Sequence, residues 1–334
     1  MRSNYIKTLW SLCLLFCCIT TSQAIGPKQT KEKTIKASYQ VKANDLLELS
    51  NKYGNIMIEN HQGNSIELEV KIKAWDGTAK KAQATLDRIS IQREQHGRKV
   101  SLKTMIDHQD PNKVSLNSSK GFHINYVIKM PEDMSLELEN KFGNVQIANV
   151  LGEVELEVKH GHLQAGILGK GDLEIKFGNA DIERLNKSSS IEIKHGNLQV
   201  KKATKLEIKQ AHGNLQLGEI EELEGMVEHG NISIEQVSKS IKWESEFGNF
   251  SLGKVKTTFR HVKIEVEHGN VRMNIDKAAN FDFTATTTHG KINHNIPNLK
   301  IDKGHIEESA KGPVNGGGNA AVDIAVDFGN ISLD

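Results

Sequence analysis

The sequence predicts an all-β protein, a parallel β-solenoid with a small N-terminal α/β cap that contains one helix. Two observations predict this fold. An aromatic residue or histidine followed by Gly-Asn returns along the chain, and the glycines from Gly143 to Gly248 are spaced 17 or 18 residues apart. Apolar and polar residues alternate between these motifs, which is typical of strands. Repetition at a short fixed period indicates a solenoid in which each copy adds one turn.

The Gly-Asn motifs are the predicted corners of the solenoid turns. Glycine suits a corner because it adopts a positive φ without steric cost, and stacked asparagines can hydrogen-bond along a column. We expect the rings before glycine to point inward or to cap the corner, stacked along the axis. The predicted corner residues are Gly54, Asn55, Gly143, Asn144, Gly178, Asn179, Gly196, Asn197, Gly213, Asn214, Gly230, Asn231, Gly248, Asn249, Gly269, Asn270, Gly329 and Asn330.

Each predicted unit holds two short strands with the glycine corner between them. In the unit from Ile191 to Val200, the apolar residues fall on one side and Glu192, Lys194 and Gln199 on the other. The alternative is a meander of antiparallel hairpins with His-Gly or Gly-Asn turns. The recurrence of one corner chemistry at a regular interval favours the parallel coil, for which a right-handed path is the general expectation.

The first 24 residues have the pattern of a signal peptide. Arg2 and Lys7 supply positive charge, residues 9–19 are apolar but short for a bilayer span, and small residues lead to Ala24. We therefore expect cleavage after Ala24. An uncleaved anchor and a lipoprotein attached through Cys17 are the alternatives.

Three further segments follow the predicted signal peptide. Residues 25–39 are polar and are predicted to be a flexible spacer. Residues 40–130 alternate as strands around one helix, which Thr78 caps and which runs over residues 79–89. We interpret this segment as a cap that covers the first edge of the solenoid. Residues 131–334 are the β-solenoid repeats of about 17–21 residues.

Composition excludes several classes of function. All three cysteines lie inside the predicted signal peptide, so the exported chain has no disulfide and no thiolate site. Removing Arg2 and Lys7 from 43 basic residues leaves 41 against 42 acidic residues, a net charge near −1. This balance gives no general attraction to nucleic acid or anionic membranes. No apolar run after the signal peptide is long enough for a transmembrane helix.

The residues give no indication of catalysis, a cofactor or a metal site. Most glutamates alternate with apolar residues, as solvated strand faces require, and no known catalytic or nucleotide-binding motif occurs. His195, His212 and His229 recur in three successive copies, but residues in one column form a line, whereas zinc requires a tetrahedron. Phe177 and Phe247 occupy the same column, which favours packing. We expect no enzyme and no metal or cofactor.

Several stretches resemble the bacterial putative-adhesin family. They are Leu-x-Leu-x-Asn-Lys-Tyr-Gly-Asn-Ile over 47–56, the helix over 78–89, Tyr-Val-Ile-Lys-Met-Pro over 126–131, and the glycine-rich loop over 312–318. The resemblance covers residues 40–334. It implies a secreted β-solenoid domain of a kind common in Bacteroidetes, and it transfers no functional residue.

The resemblance and the repeats together lead to one functional expectation and two alternatives. We expect a non-enzymatic, adhesin-like β-solenoid that binds a glycan or a protein at the cell envelope through many repeated polar groups. One alternative is a periplasmic accessory of an envelope signalling system, and the other is a polysaccharide-acting β-helix enzyme. The exported chain is expected in the periplasm, on the outer-membrane surface or outside the cell. The sequence leaves its ligand and its oligomeric state open.

Overall fold

The computed structural model describes residues 28–107, 119–276, 278–297 and 299–334. The predicted signal peptide and its cleavage site lie outside the described residues. In the described part of the chain, one helix and one 24-stranded sheet occur. The elements are β1 (Gln29–Gln40), β2 (Leu46–Lys52), β3 (Ile56–Asn60), β4 (Ser65–Asp76), α1 (Ala79–Asp87), β5 (Ile89–His96), β6 (Lys99–Ile106), β7 (Gly121–Met130), β8 (Ser135–Lys141), β9 (Val145–Ile147), β10 (Val150–Lys159), β11 (Leu163–Lys176), β12 (Ala180–His195), β13 (Leu198–His212), β14 (Leu215–His229), β15 (Ile232–Phe247), β16 (Phe250–Val255), β17 (His261–His268), β18 (Val271–Ile275), β19 (Phe281–Thr288), β20 (Ile292–His294), β21 (Ile301–Lys303), β22 (Glu307–Val314), β23 (Ala321–Phe328) and β24 (Ile331–Leu333).

The repeats form the predicted parallel β-solenoid. Strand β12 pairs in parallel with β13, and β13 pairs in parallel with β14, so that His195, His212 and His229 lie in one column. Backbone hydrogen bonds connect the corners of successive turns, as from the Gly178 N–H to the His195 carbonyl at 3.0 Å. These parallel pairings exclude the hairpin meander for the repeats, because hairpins would pair neighbouring units antiparallel.

The core is a narrow apolar layer between the two strand faces of each turn. In one turn Ile193 and Val200 are fully buried, and in the next turn Ile208 and Leu217 are fully buried. Like residues lie above one another because the period of the sequence matches one turn. Each such side chain contributes about 1.5–3 kcal/mol when it leaves water. The core is therefore continuous along the rod, and it holds the two strand faces together at every turn.

The predicted spacer over residues 25–39 is wrong in its described part. Residues Gln29–Gln40 form strand β1, which pairs antiparallel with β4 along its whole length. Ile35, Ala37 and Tyr39 pack against the core, while Lys36 forms an ion pair with Glu69 at 3.0 Å. The first six residues of β1 are exposed on both faces. That exposure explains why they lack the alternation that indicates a strand.

The solenoid begins earlier than predicted, inside the segment assigned to the cap. Strands β2 and β3 pair in parallel with β8 and β9, which lie 89 residues later in the chain. On their other side they pair in parallel with β6 and β7. Strands β4 and β5 then add antiparallel. The chain thus leaves the solenoid after its first turn, builds an antiparallel cover over the open edge, and returns.

Helix α1 lies in this cover and begins where the sequence predicts. The Thr78 hydroxyl accepts a hydrogen bond from the Lys81 backbone N–H at 3.3 Å, and Ala82 and Leu86 are buried. The helix ends at Asp87, two residues before the predicted end, because Ile89 begins strand β5. Ile89 is buried in the core from that strand.

At the C-terminal end the spatial order of the turns differs from their order in the sequence. Strands β23 and β24 lie between the turn β17–β18 and the turn β19–β20, with which they pair in parallel. The expectation that consecutive copies stack in chain order is therefore wrong here. Strand β22 pairs antiparallel with β19 and covers its outer edge. Because β22 occupies the outer edge of β19, strand β23 pairs on the inner side, between β17 and β19.

The corner glycines are required mainly by close approach of the backbone between turns. A Cβ on Gly178 would lie 1.8 Å from the carbonyl oxygen of Gly161 in the preceding turn. The predicted positive φ is found at Gly196 and Gly213, but at two earlier corners Phe142 and Phe177 adopt it instead, with φ of 60° and 58°. The positive φ thus belongs to the ring residue in some corners and to the glycine in others. In both kinds of corner a Cβ on the glycine would collide with the backbone of the preceding turn.

The first position of the glycine column supports this explanation. There the residue is Ile124, and a Cβ on Gly54 in the next turn would lie 2.0 Å from its carbonyl oxygen. Ile124 pairs with Ile72 of the antiparallel cover, so no solenoid corner lies beneath it. A side chain is therefore tolerated only where no corner of a preceding turn must be approached.

We expect Gly178→Ala to destabilise the protein by about 3 kcal/mol or more, because the obstructing atom is backbone and cannot move aside. Gly178 does not adopt a positive φ, so the substitution tests close approach alone. Gly77→Ala is the matched control, since a Cβ there meets nothing within 4 Å. Urea unfolding followed by circular dichroism measures both. Equal stability of the two variants would contradict the steric explanation.

A second prediction concerns Asp45, which is 6% exposed under the cap. Its carboxylate accepts hydrogen bonds from the Lys42 backbone N–H at 2.9 Å and from the Arg98 Nε at 3.1 Å. The Lys42 hydrogen bond, followed by the Arg98 side chain, lowers the pKa of Asp45 below its ordinary value. The ionised form is thus favoured in the folded state. Its stabilisation is present above the unfolded pKa of about 3.9 and is lost as pH falls through the folded pKa.

Asp45→Asn should therefore destabilise the protein at pH 7 and should differ much less from the parent at pH 3. The measurement is the urea midpoint of both chains at the two pH values. Asp302→Asn, at an exposed position, serves as the control and should change little at either pH. A loss of stability at Asp45→Asn that is the same at both pH values would contradict the assigned role of the charge.

Candidate functional site

The residues before the corner glycines form one continuous row of stacked rings, which we call the aromatic ladder. Successive ring centroids are 4.8–5.2 Å apart. This distance equals the spacing of neighbouring strands, so the backbone sets it. In the described part of the chain the ladder has eleven rings, in the spatial order Tyr53, Phe142, His160, Phe177, His195, His212, His229, Phe247, His268, Phe328 and His289.

The ladder lies on the surface, so of the two predicted orientations the inward one is wrong, and the rings cap the corner and stack along the axis. Phe142, Phe177, Phe247 and Phe328 are 44–54% exposed. Strict alternation from Ile193 would place the ring of His195 on the core side, but the backbone turns at the corner and the alternation stops there. Because each inner ring is covered by a neighbour on both sides, the ladder presents ring edges to solvent and hides ring faces.

The ladder consists of two well-stacked blocks that meet at tilted histidines. In the first block the rings of Phe142 and His160 are 1° from parallel, and in the last the rings of Phe328 and His289 are 5° from parallel. Between them the angle rises to 50° at His212 and His229. It reaches 70° at His229 and Phe247. The centre of the ladder thus turns ring surface outward more than its ends do.

The corner asparagines form a second column beside the ladder, which we call the asparagine ladder. Each Oδ1 accepts a hydrogen bond from the backbone N–H of the residue at the same position in the next turn, as from Asn197 to Asn179 at 2.8 Å. That residue is an asparagine except after Asn144, where it is His162, and after Asn330, where it is Lys291. Further Nδ2 to Oδ1 bonds occur later in the rod. The N–H to Oδ1 bonds of 2.8–3.1 Å join Asn55 to Asn144, Asn179 to Asn197, Asn197 to Asn214, Asn214 to Asn231, Asn231 to Asn249, Asn249 to Asn270 and Asn270 to Asn330.

The ends of the asparagine ladder explain one imperfect motif and reveal a residue that the sequence analysis missed. Lys291 stands where asparagine is expected, and its N–H donates to Asn330 at 3.0 Å. Lys291 occupies the last position of the column in the described residues. Its side chain is therefore not needed to accept a hydrogen bond from the backbone N–H of a following turn. At the other end Asn125 accepts from the Asn55 N–H at 2.9 Å. Asn125 escaped notice because Ile124, not glycine, precedes it.

A charged column follows the other side of the aromatic ladder, and its charge changes sign at the middle. In the first half four of the five lysines have glutamate partners, such as Lys194 with Glu192 at 3.2 Å. Glu139 accepts a hydrogen bond from Lys141 and raises its pKa, which favours the charged ammonium form. In spatial order the column is Lys52, Lys141, Lys159, Lys176, Lys194, Ala211, Glu228, Glu246, Glu267, Asp327 and Thr288.

The rest of the described surface offers open grooves between strand side chains. Their volumes are about 300–600 Å³. Among the described residues, no group of three or more His, Cys, Asp or Glu side chains is placed to hold a metal ion. Nor does the described part include a helix with the length and apolar character needed to cross a membrane.

Comparison with known proteins identifies the family. A family model described as Toastrack DUF4097 matches residues 44–334. The chain belongs to this Toastrack family. The match covers the solenoid and nearly all of the N-terminal cover, and it agrees with the resemblance seen in the sequence. Comparison with curated proteins gives no match.

Solved structures of distant sequence are also similar to the Toastrack chain. A putative adhesin from Parabacteroides merdae is 12% identical, with 72% of this chain and 96% of that chain covered and a TM-score of 0.41. A putative adhesin from Bacteroides fragilis is 15% identical, with 90% and 97% covered and a TM-score of 0.29. A putative lipid binding protein from Parabacteroides distasonis is 8% identical, with 90% and 96% covered and a TM-score of 0.35.

The asparagine ladder gives a prediction about stability. Asn231→Ala removes the acceptor for the Asn249 N–H, and we expect a loss of about 1 kcal/mol in the free energy of unfolding. Lys291→Ala is the control in the same column, because its side chain accepts from no later turn, and it should change stability by less than about 0.5 kcal/mol. Chemical denaturation measures both, and an equal effect of the two variants would contradict the bonding scheme.

Proposed function

We propose that this Toastrack protein is a non-enzymatic, exported, adhesin-like β-solenoid that binds a glycan or a protein at the cell envelope. The observation that carries the proposal is the exposed corner, where the aromatic ladder runs between the asparagine ladder and the charged column. Ten steps of about 4.8 Å give this surface a length of roughly 48 Å. An extended surface of similar repeated units suits an extended ligand better than a small molecule.

The chemistry of the corner supports binding by many similar contacts. Ring edges present C–H groups at Phe and ring nitrogens at His, and the asparagine amides lie one column away. Each contact contributes little, but contacts repeated at a fixed spacing act together on a repeating ligand. Because the ring faces are covered in the two well-stacked blocks, a sugar cannot stack on them there. The ligand is therefore proposed to lie across the ring edges, along the axis of the rod.

The strand faces support the non-enzymatic part of the proposal. A general acid needs a carboxyl group that stays protonated near neutral pH. On the flat face Lys242 donates to Glu224 at 2.8 Å and lowers its pKa, which keeps that carboxylate ionised. The grooves are open to solvent along the strands. The same kinds of side chain recur along their walls, so polar groups are spread along the rod and are not gathered at one position.

Export to the envelope is supported by the signal-peptide pattern of residues 1–24. Binding on the outer surface and a periplasmic role beside a signalling system differ in where the rod is accessible. Protease treatment of intact cells separates them, because a surface rod is degraded while a periplasmic rod is protected. Protection would favour the accessory role over adhesion.

The binding test uses the purified exported chain on a glycan array and in adhesion assays with immobilised envelope proteins. Phe177→Ser combined with Phe247→Ser, two exposed ladder positions, should reduce binding at least about tenfold, since each loses apolar contact area with the ligand. Gln216→Ser, at an exposed position of β14 outside the three columns of the corner, is the control and should bind like the parent.

Two results would contradict the proposal. Equal loss of binding in the ladder variant and in the Gln216→Ser control would show that the corner is not the binding surface. Release of shorter products when the purified chain is incubated with polysaccharides would overturn the non-enzymatic part. Circular dichroism of each variant establishes that the fold is retained before binding is compared.

A further inference from the structure

The aromatic ladder is symmetric about its central ring, His212. On either side of it lie His195 and His229, and beyond these lie Phe177 and Phe247. The symmetry continues with His160 opposite His268 and with Phe142 opposite Phe328, and it ends only at the outermost rings, Tyr53 and His289.

This symmetry exists in space and not along the chain. In the sequence His268 is followed by His289 and then by Phe328. The last turn, β23–β24, places Phe328 between those two histidines. The exchanged order of the C-terminal turns is therefore what completes the symmetric pattern.

The charged column beside the ladder is antisymmetric about the same turn. Its centre is Ala211, the neighbour of His212, with lysines on one side and carboxylates on the other. At equal distances from the centre four of the five lysines are matched by an acid, and the outermost, Lys52, is matched by Thr288. The matched pairs are Lys194 and Glu228, Lys176 and Glu246, Lys159 and Glu267, and Lys141 and Asp327.

We infer that the exposed corner is a self-association surface on which a second copy of this chain docks antiparallel. An interface with two-fold symmetry brings each residue against the residue at the mirrored position. For this corner, antiparallel docking places like rings opposite like rings and lysines opposite carboxylates. The inference follows from the pattern of the corner and not from the ligand proposed above. Because a docked copy covers the ring edges, that ligand and the second copy compete for the same surface.

The geometry of a two-fold axis is compatible with this arrangement. The two-fold axis lies at the level of His212. It is perpendicular to the rod and to the outward direction of the corner. Rotation about this axis turns the corner of one copy to face the corner of the other. It keeps the charged columns of both copies on the same side of the contact and the asparagine ladders on the opposite side. The strand spacing is identical in the two copies, so all turns can be in register together.

The state of the charges within one chain supports the same pairing. Among the described residues, Glu228, Glu246 and Glu267 have no ion-pair partner within the chain, although all three are exposed. Four of the five lysines do have partners, but Lys176 already lies between two carboxylates, Glu157 at 3.7 Å and Glu174 of its own turn. A lysine of this column can therefore be shared with a carboxylate of the second copy.

Parallel docking of two copies does not bring these charges together. With a two-fold axis along the rod, the charged column of each copy faces the asparagine ladder of the other copy, so no lysine meets a carboxylate. Charged groups that lose hydration without gaining an ion pair make such an interface unfavourable. The charge pattern thus selects the antiparallel arrangement, and the ladder supplies apolar ring edges at its centre line.

The first experiment exchanges charges between copies. A basic variant carries Glu228→Lys, Glu246→Lys and Glu267→Lys, and an acidic variant carries Lys159→Glu, Lys176→Glu and Lys194→Glu. The dimer dissociation constant of the exported chain is measured by analytical ultracentrifugation over a range of concentrations. Each variant alone should dimerise at least about 100-fold more weakly than the parent, and an equimolar mixture should form a heterodimer.

The control variant reverses three charges away from the corner, with Lys201→Glu, Lys202→Glu and Lys256→Glu. It should dimerise like the parent. A variant that had lost its fold would not regain association when it is mixed with the other variant. A heterodimer in the mixture therefore shows that both variants keep the fold. A parent chain that remains monomeric up to millimolar concentration would overturn the inference, as would a mixture that fails to associate.

The second experiment tests the direction of docking by cysteine cross-linking. Residues 25–334 contain no cysteine, so an introduced one is unique in the exported chain. His212→Cys, on the two-fold axis, should cross-link with itself. Phe142→Cys should cross-link with Phe328→Cys in a mixture but not with itself, since those two positions are eight turns, roughly 38 Å, apart. Self-cross-linking of Phe142→Cys would show parallel docking and would overturn the inference.

Discussion

The structure depends on the close approach of backbone to backbone at the glycine column. A Cβ on Gly230 would lie 1.7 Å from the Gly213 carbonyl oxygen, and the same obstruction recurs from Gly54 to Gly290. Without side chains at this column, each corner rests directly on the corner of the preceding turn at the spacing of paired strands. Every other column of the molecule takes its regularity from that contact.

The surface features follow from this regular spacing. Ring centroids about 4.8 Å apart allow the rings to stack without any adjustment of the backbone. The asparagine beside each glycine reaches the N–H of the next turn for the same reason, as in the bond from Asn270 to Asn249 at 3.0 Å. A residue type repeated in the sequence therefore becomes a continuous row, and rows of rings, amides and charges are what the protein offers to a partner.

The sequence predicted the parallel stacking and the asparagine column, and it failed where the backbone leaves the regular strand. Alternation along a regular strand would direct the rings inward, but Phe177 turns outward at a positive φ of 58°. Strand β1 has the sequence pattern of a spacer because its first six residues are exposed on both faces. Such segments have no alternation to detect, and only their pairing with β4 shows that they are strands.

The sequence by itself determined which columns exist. When a motif is repeated once per turn of a parallel coil, each position of the motif falls at the same place in every turn and so forms a column. The tertiary structure decided the order in which the last turns stack. Phe328 lies between His268 and His289 because β22 covers the edge of β19 and the edge of β17 receives β23. That choice is made by pairing between distant segments, which no local pattern encodes. It is also the choice that makes the aromatic ladder symmetric about His212.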